Sequence, residues 1–283
     1  MRFEKWQALG NDYLILEAAA LPVPLSAARV QRLCDPHFGV GADGVLELSP
    51  PDAPGFVARL RIFNPDGSEA ELSGNGVREA ILYLRRAGWT DAQTFSIQTP
   101  AGEIRPTITG PLSARVDMGR AALTSKDYPG GPPDGAGELE AGGRTWRFQH
   151  VAIGNPQCAI RVADRDELEA LDLAALGPQI EHAGRFPNRT NTSFWTELGP
   201  AAIRARIFER GVGETLSSGT GACGAAVAHV LRGGDSPVSV KLDGGELQVD
   251  VDKSLHVDLT GWAAPIARGE LSDELIAELA SMP

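Results

Sequence analysis

Cysteine is scarce in this chain. There are three, Cys34, Cys158 and Cys223, with no C-x-x-C pair and no histidine at zinc-ligand spacing. Such a pattern gives neither a disulfide framework nor a structural metal site. The five histidines, His37, His150, His182, His229 and His256, read as structural or exposed. No apolar run approaches the roughly 18 residues of a bilayer span. Met1 to Lys5 also lacks the basic stretch and apolar stretch of a secretion signal. A cytoplasmic chain with no membrane partner is expected. Positive charge is in deficit, 26 Lys and Arg against 37 Asp and Glu, a formal net charge of −11. Nucleic-acid binders cluster Lys and Arg against phosphate, so no nucleic-acid partner is expected.

What remains is ordinary globular material. The 283 residues are 42% hydrophobic and 22% charged, enough for one large domain or two medium ones. With 33 glycines and 20 prolines, many tight turns are expected. Apolar spacing predicts strands over Arg2 to Leu9, Tyr13 to Leu16, Phe56 to Phe63, Thr94 to Gln98, Glu103 to Ile108 and Ala114 to Met118. Helices are expected over Ala27 to Leu33 and Val77 to Arg86. Tyr128 to Gly143 reads as a Gly/Pro-rich surface loop near a domain boundary. Beyond it, strands are expected at Trp146 to Val151, Ala159 to Val162, Thr192 to Trp195, Ala202 to Phe208, Val238 to Leu242, Glu246 to Val251 and His256 to Leu259. Helices fall near Glu167 to Leu176 and Ala222 to Leu231. The class is α+β, with one central helix in each half.

Two stretches echo each other. Leu72-Ser73-Gly74-Asn75-Gly76 matches Ser217-Ser218-Gly219-Thr220-Gly221 about half a chain later, and each lies directly before the main helix of its half. The first N–H groups of a helix have no internal partner and carry the positive end of its dipole, so an anion binds readily there. Glycine lets a ligand approach the backbone. The plain alternative is a pair of serine N-caps followed by turn glycines. Neither copy carries the lysine of a P-loop or a full dinucleotide fingerprint, which speaks against nucleotide binding.

The longer stretches around this echo carry a resemblance. Asn64-Pro65-Asp66-Gly67-Ser68-Glu69-Ala70-Glu71-Leu72-Ser73-Gly74-Asn75-Gly76-Val77-Arg78 resembles the first signature of diaminopimelate epimerase. Glu209-Arg210-Gly211-Val212-Gly213-Glu214-Thr215-Leu216-Ser217-Ser218-Gly219-Thr220-Gly221-Ala222-Cys223 resembles the second. Leu9-Gly10-Asn11-Asp12, Gly41-Ala42-Asp43-Gly44, Gly154-Asn155-Pro156 and Thr190-Asn191-Thr192 support the match in chain order. The resemblance implies two pseudo-symmetric domains, each a barrel-like, mostly antiparallel sheet around a central helix. Residues 1–125 and 126–261 are the expected domains, with about 262–283 packing back on the first. It also implies a cleft-bound small amino dicarboxylate, no cofactor or metal, and conversion of LL- to meso-diaminopimelate by two opposed acid/base groups. A second copy of the chain is a further expected partner.

The chain departs from the pattern where the chemistry sits. Ser73 and Ser218 stand where the resemblance implies two cysteines, Gln157 where it implies a histidine, and Glu79 also departs. A serine hydroxyl is a weak base unless a neighbour takes its proton, and the nearest candidate is Glu209, which the resemblance places close to the site. The catalytic set it implies is Ser73, Ser218 and Glu209. The binding set it implies is Asn11, Asn64, Gly74, Asn75, Asn155, Asn191, Arg210, Gly219 and Thr220, with Arg210 suited to a distal carboxylate. Three activities stay open: the epimerase, an isomerase using Glu209 instead of a thiol pair, and a protein that binds without turnover. Glu69, Glu71 and Glu214 read as caps or solvated carboxylates, and the three cysteines as packing.

Overall fold

A computed structural model describes residues 1–70 and 73–283. Glu71, read above as a cap or solvated carboxylate, and Leu72 lie outside the described residues. The chain forms two compact units, Met1–Val116 with Gly261–Pro283, and Asp117–Thr260. No described helix is long and apolar enough to cross a membrane.

In the first unit, β1 (Arg2–Ala8) and β2 (Asn11–Glu17) form a hairpin over Leu9 and Gly10, both with positive φ. Helix α1 (Ala27–Cys34) follows, capped by Ser26, whose side chain accepts from the Arg29 N–H. Strands β3 (Val45–Ser49), β4 (Ala58–Phe63) and β5 (Glu69–Ala70) lead to α2 (Gly74–Arg86). After it come β6 (Ile97–Thr99), β7 (Gly102–Ile104), β8 (Thr107–Gly110) and β9 (Ser113–Arg120). The expected strand over Glu103 to Ile108 is thus two strands, because Pro106 between them cannot donate to a ladder.

The second unit continues with β10 (Ala136–Ala141), β11 (Arg144–Ala152) and β12 (Pro156–Arg161). Helices α3 (Arg165–Glu169) and α4 (Leu173–Glu181) precede β13 (Asn191–Gly199), β14 (Ala202–Glu209) and β15 (Gly213–Thr215). Helix α5 (Gly219–Leu231) is followed by β16 (Val238–Leu242), β17 (Gly245–Val251) and β18 (His256–Trp262). The chain then re-enters the first unit as β19 (Ala264–Glu270) and α6 (Asp273–Ser281).

Two further expectations need correction, and the barrel-like sheets of the expected class are open ones. The loop read over Tyr128 to Gly143 contains β10, joined to β11 by Gly142 and Gly143 with φ of 61° and 71°. Two consecutive positive φ values make the tight hairpin turn that matches strand twist. The single helix read near Glu167 to Leu176 is two helices, since Asp172 caps α4 by accepting from the Ala175 N–H. Finally, neither sheet closes into a barrel. The first runs β19-β1-β2-β3-β4-β6-β7 and the second continues from β10 through β11, β12, β13, β14, β16 and β17 to β18 and β9.

One succession of pairings occurs in both units. From β1 to β7 it runs antiparallel, parallel, antiparallel, parallel, antiparallel, with β5 branching from β4. From β11 to β17 it runs the same way, with β15 branching from β14. Helix α2 lies on β1, β2 and β3, and α5 lies on β11 to β14, β16 and β17. Small residues let α5 sit this deep: nearly every residue from Gly219 to His229 is buried. Each fully buried Leu, Ile or Val in these cores contributes about 1.5–3 kcal/mol.

Two of the hydrophobic clusters among the described residues fall in different units. The first gathers Leu14, Leu16, Val30, Leu33 and Val45 against Leu271 and Leu279 from the chain's end. The second is built on the aromatic trio Tyr128, Phe148 and Phe186, with ring centroids 5.4–5.6 Å apart.

Candidate functional site

Both echoed stretches place a serine at a helix N-cap. Ser73 caps α2 by accepting from the Gly76 N–H at 3.1 Å, and Ser218 caps α5 by accepting from the Gly221 N–H at 3.2 Å. The plain capping reading is therefore correct for both. It does not exhaust them, because the Ser73 hydroxyl has a second partner and Ser218 has a carboxylate neighbour. The glycines are also needed for space: a Cβ on Gly221 would stand 2.7 Å from Ile207 Cδ1.

At the α2 end, the Tyr13 hydroxyl donates to Ser73 Oγ at 3.2 Å. Asn75 donates to Asn11 Oδ1 at 3.3 Å, and Asn11 donates to Asp43 Oδ2 at 3.0 Å. Buried Arg78 braces this end from behind, donating to Asn75 Oδ1 at 2.5 Å and to the Gly74 carbonyl at 2.9 Å. Ser73, Gly74, Asn75 and Asn11 thus lie together at this helix end. Asn64 does not join their network among the described residues. Its amide donates to Ser68 Oγ at 3.0 Å inside the turn between β4 and β5, the local use that Asn commonly finds in turns.

At the α5 end, the Ser218 side chain lies beside the Glu209 carboxylate. Burial pushes the Glu209 carboxyl above its ordinary value of 4.5, and the neighbouring Ser218 hydroxyl opposes part of that rise. Gln157 donates to Asn155 Oδ1 at 2.6 Å, and Asn155 donates to Thr220 Oγ1 at 3.2 Å in the first turn of α5. The Gln157 Oε1 is buried with no partner among the described residues. Its side chain reaches this place because position 224 is glycine, where a Cβ would lie 2.8 Å from Gln157 Cβ.

Asn191 and Arg210 form a brace of their own. Asn191 accepts from the Arg210 N–H at 2.8 Å and donates to the Pro156 carbonyl at 3.1 Å, while Arg210 Nη1 donates to the Asn188 carbonyl at 2.9 Å. The amide of Asn191 is therefore committed to fixing the backbone that carries Glu209 and Arg210.

Residues outside these two ends sort cleanly. Neither Glu69 nor Glu214 caps a helix. Glu69 grips Arg61 with both oxygens at 2.9 Å, and Glu214 takes Arg206 at 2.6 Å. All three cysteines are buried, and burial pushes the Cys34 thiol up to about 12. Lacking access and an accessible thiolate, they serve packing. His256 pairs with Asp117 at 2.9 Å, and with Asp258 the ligand atoms of this trio lie within 4.8 Å. Linear spacing hides that grouping. Tyr13 is the functional residue that the sequence reading missed. Its signal was a tyrosine facing Gly44, where a Cβ would strike the ring at 2.5 Å, since a buried hydroxyl needs a partner.

The chain is similar to known proteins over nearly its whole length. The family model described as diaminopimelate epimerase matches residues 3–124 and 150–263. The chain is 40% identical over 282 residues to diaminopimelate epimerase of Picosynechococcus sp., covering 96% of this chain and 99% of that one. It is 41% identical over 276 residues to the enzyme of the same name from Magnetococcus marinus, covering 95% and 96%. A solved structure of a probable proline racemase from Agrobacterium radiobacter superposes with a TM-score of 0.70 at 13% identity, covering 96% and 93%. At that identity the likeness shows the fold alone.

Proposed function

Because this chain belongs to the diaminopimelate epimerase family, we propose that it is an isomerase that inverts the α-carbon of an amino dicarboxylate, LL-diaminopimelate foremost, by proton transfer. The observation that carries this reading is the closeness of the Ser218 side chain to the half-buried Glu209 carboxylate at the N-terminus of α5. It gives a serine the adjacent base that its hydroxyl chemistry requires.

The two helix ends differ in what they offer. At α5, the α-proton leaves carbon for Ser218 Oγ while the Ser218 proton passes to the Glu209 carboxylate. The electron pair of the broken C–H bond stays on the α-carbon and its carboxylate. At α2, the Tyr13 hydroxyl already donates to Ser73 Oγ, so a proton that Ser73 gives up is replaced from Tyr13. First-turn N–H groups at the start of each helix are fixed donors suited to growing carboxylate charge. Asn11, Asn75, Asn155 and Thr220 orient the ligand from the networks described above. Arg210 and Asn191 hold the Glu209 strand end in place, and Asn64 stays within its turn.

The test is incorporation of solvent deuterium at the α-carbon of LL-diaminopimelate. Exchange is expected in the unaltered protein and falls about 100- to 10,000-fold in Glu209→Gln, the usual worth of a positioned acid or base. Binding of the amino acid without any exchange in the unaltered protein overturns the isomerase reading and leaves a binding protein. If so, Ser73→Cys with Ser218→Cys shows whether only the acid/base pair was missing.

A further inference from the structure

The second unit contains a groove of about 650 Å³ that the proposed reaction does not use. It borders Ala228 and Arg232 near the C-terminal end of α5, and Ala228 lies about 15 Å along the helix from Ser218 at 1.5 Å per residue. Strand register builds its floor. Ala136 stands opposite Gln149, Glu138 opposite Arg147, Gln149 opposite Ala159, and Arg161 opposite Trp195. Cross-strand partners share a face. This face is the one that α5 covers farther along, where Ser193 donates to the Gly221 carbonyl and the Trp195 ring meets His229 edge-on. Phe148 turns the other way into the aromatic core. The groove exists because Ala136, Ala159 and Ala228 leave room between strand and helix that larger side chains would fill.

Its rim is positive in a chain whose formal net charge is −11. Three guanidinium groups surround it. Arg147 pairs with Glu138 at 2.9 Å, and Arg161 pairs with Glu197 at 3.1 Å. Arg232 is exposed, and its guanidinium has no ion pair or hydrogen bond among the described residues. Trp195 also lines the groove, and its buried indole N–H has no partner among the described residues. An unmade buried hydrogen bond is unfavourable until a ligand atom satisfies it.

We propose that this groove binds a small aromatic anion, with its flat ring over the alanine floor and its charged group held by Arg232 alongside Arg147 and Arg161. The volume falls in the ordinary range for sites of that ligand size, and guanidinium groups suit carboxylate, sulfonate and phosphate oxygens alike.

The experiment uses the full chain and the fluorescent probe 8-anilinonaphthalene-1-sulfonate, a flat ring system with one sulfonate. One saturable site per chain is expected, with Kd rising at least tenfold in Arg147→Glu/Arg232→Glu, two exposed positions that leave the core intact. Ala136→Trp, which fills the groove from the exposed edge strand without altering charge, is expected to abolish the same site. Displacement by adenosine monophosphate assigns the natural anion to the nucleotides, and displacement by benzoate alone assigns it to aromatic carboxylates. The proposal is overturned by non-saturating fluorescence, by binding that survives both variants, or by displacement with inorganic phosphate as effective as with a ring-bearing anion. Diaminopimelate is expected to leave the probe in place, so the outcome is independent of whether the proposed isomerase reading survives.

Discussion

Glu79 faces inward from α2 with no exposed surface, and neither carboxylate oxygen has a hydrogen-bond partner among the described residues. Burial holds its carboxyl well above the ordinary value of 4.5, with Arg78 opposing and Asp12 and Asp43 reinforcing the rise. A raised carboxyl stabilises the folded chain when it is protonated. That contribution is complete below the unfolded value and fades as pH climbs from there through the folded one. Unaltered protein is therefore expected to lose thermal stability as pH climbs from about 4.5 upward through the raised value, whereas Glu79→Gln, uncharged throughout, shows a flatter dependence. The difference at the higher pH is about 1–3 kcal/mol, read as melting temperature across the series. An identical slope in both proteins counts against the assignment. Glu209 gives a kinetic counterpart, since a base must be deprotonated to act. The turnover limb governed by Glu209 is expected to rise with pH at a value above 4.5 and to vanish from the profile of Glu209→Gln. Capping by Ser73 and Ser218 was legible because it is local. The Tyr13 bond to Ser73 was not, as sixty positions separate the two residues and only the fold brings them together.

The two central helices were the most legible elements. Their serine caps and apolar faces sit in unbroken sequence, and only the starts moved, from Val77 to Gly74 and from Ala222 to Gly219. Strand β3 was unread because both of its faces are buried over Val45–Leu48, so the two-residue alternation that marks a half-buried strand is absent. Strand β10 does alternate, with Leu139 and Ala141 buried between exposed glutamates, but the flanking glycines mask it. The same packing logic makes Gly224 a sharp probe of α5. Gly224→Ala brings a methyl group into the Gln157 side chain, a conflict worth roughly 1–3 kcal/mol. It is also expected to turn Asn155 away from Thr220 and weaken ligand binding. Gly130→Ala, where nothing lies within 4 Å, serves as the control and is expected to stay within about 0.5 kcal/mol. Equal unfolding curves for the two variants remove Gly224 from this role.

At the scale of the molecule, the first unit depends on both chain ends. Arg29 donates to the carbonyls of Leu279 at 2.8 Å and Met282 at 2.5 Å, and Arg32 pairs with Glu278 at 2.7 Å. Leu275, Ile276, Leu279 and Met282 pack into the core around Leu14 and Val30. Truncation after Leu271 is expected to strip hydrogen-exchange protection from β1, β2 and α1 while leaving α5 and its strands protected. Uniform loss across the chain runs against hydrophobic clusters that fall in different units.

That same division sets an order for synthesis. The middle unit, Asp117–Thr260, is complete once Thr260 has left the ribosome, whereas its neighbour still lacks an edge strand and a helix. Domains generally fold front-first during synthesis; here Leu14, Leu16 and Val30 are expected to stay uncovered until Leu271 and Leu279 have been made. Nascent chains stalled just past Thr260 are expected to be cut by protease at the front and spared in the middle.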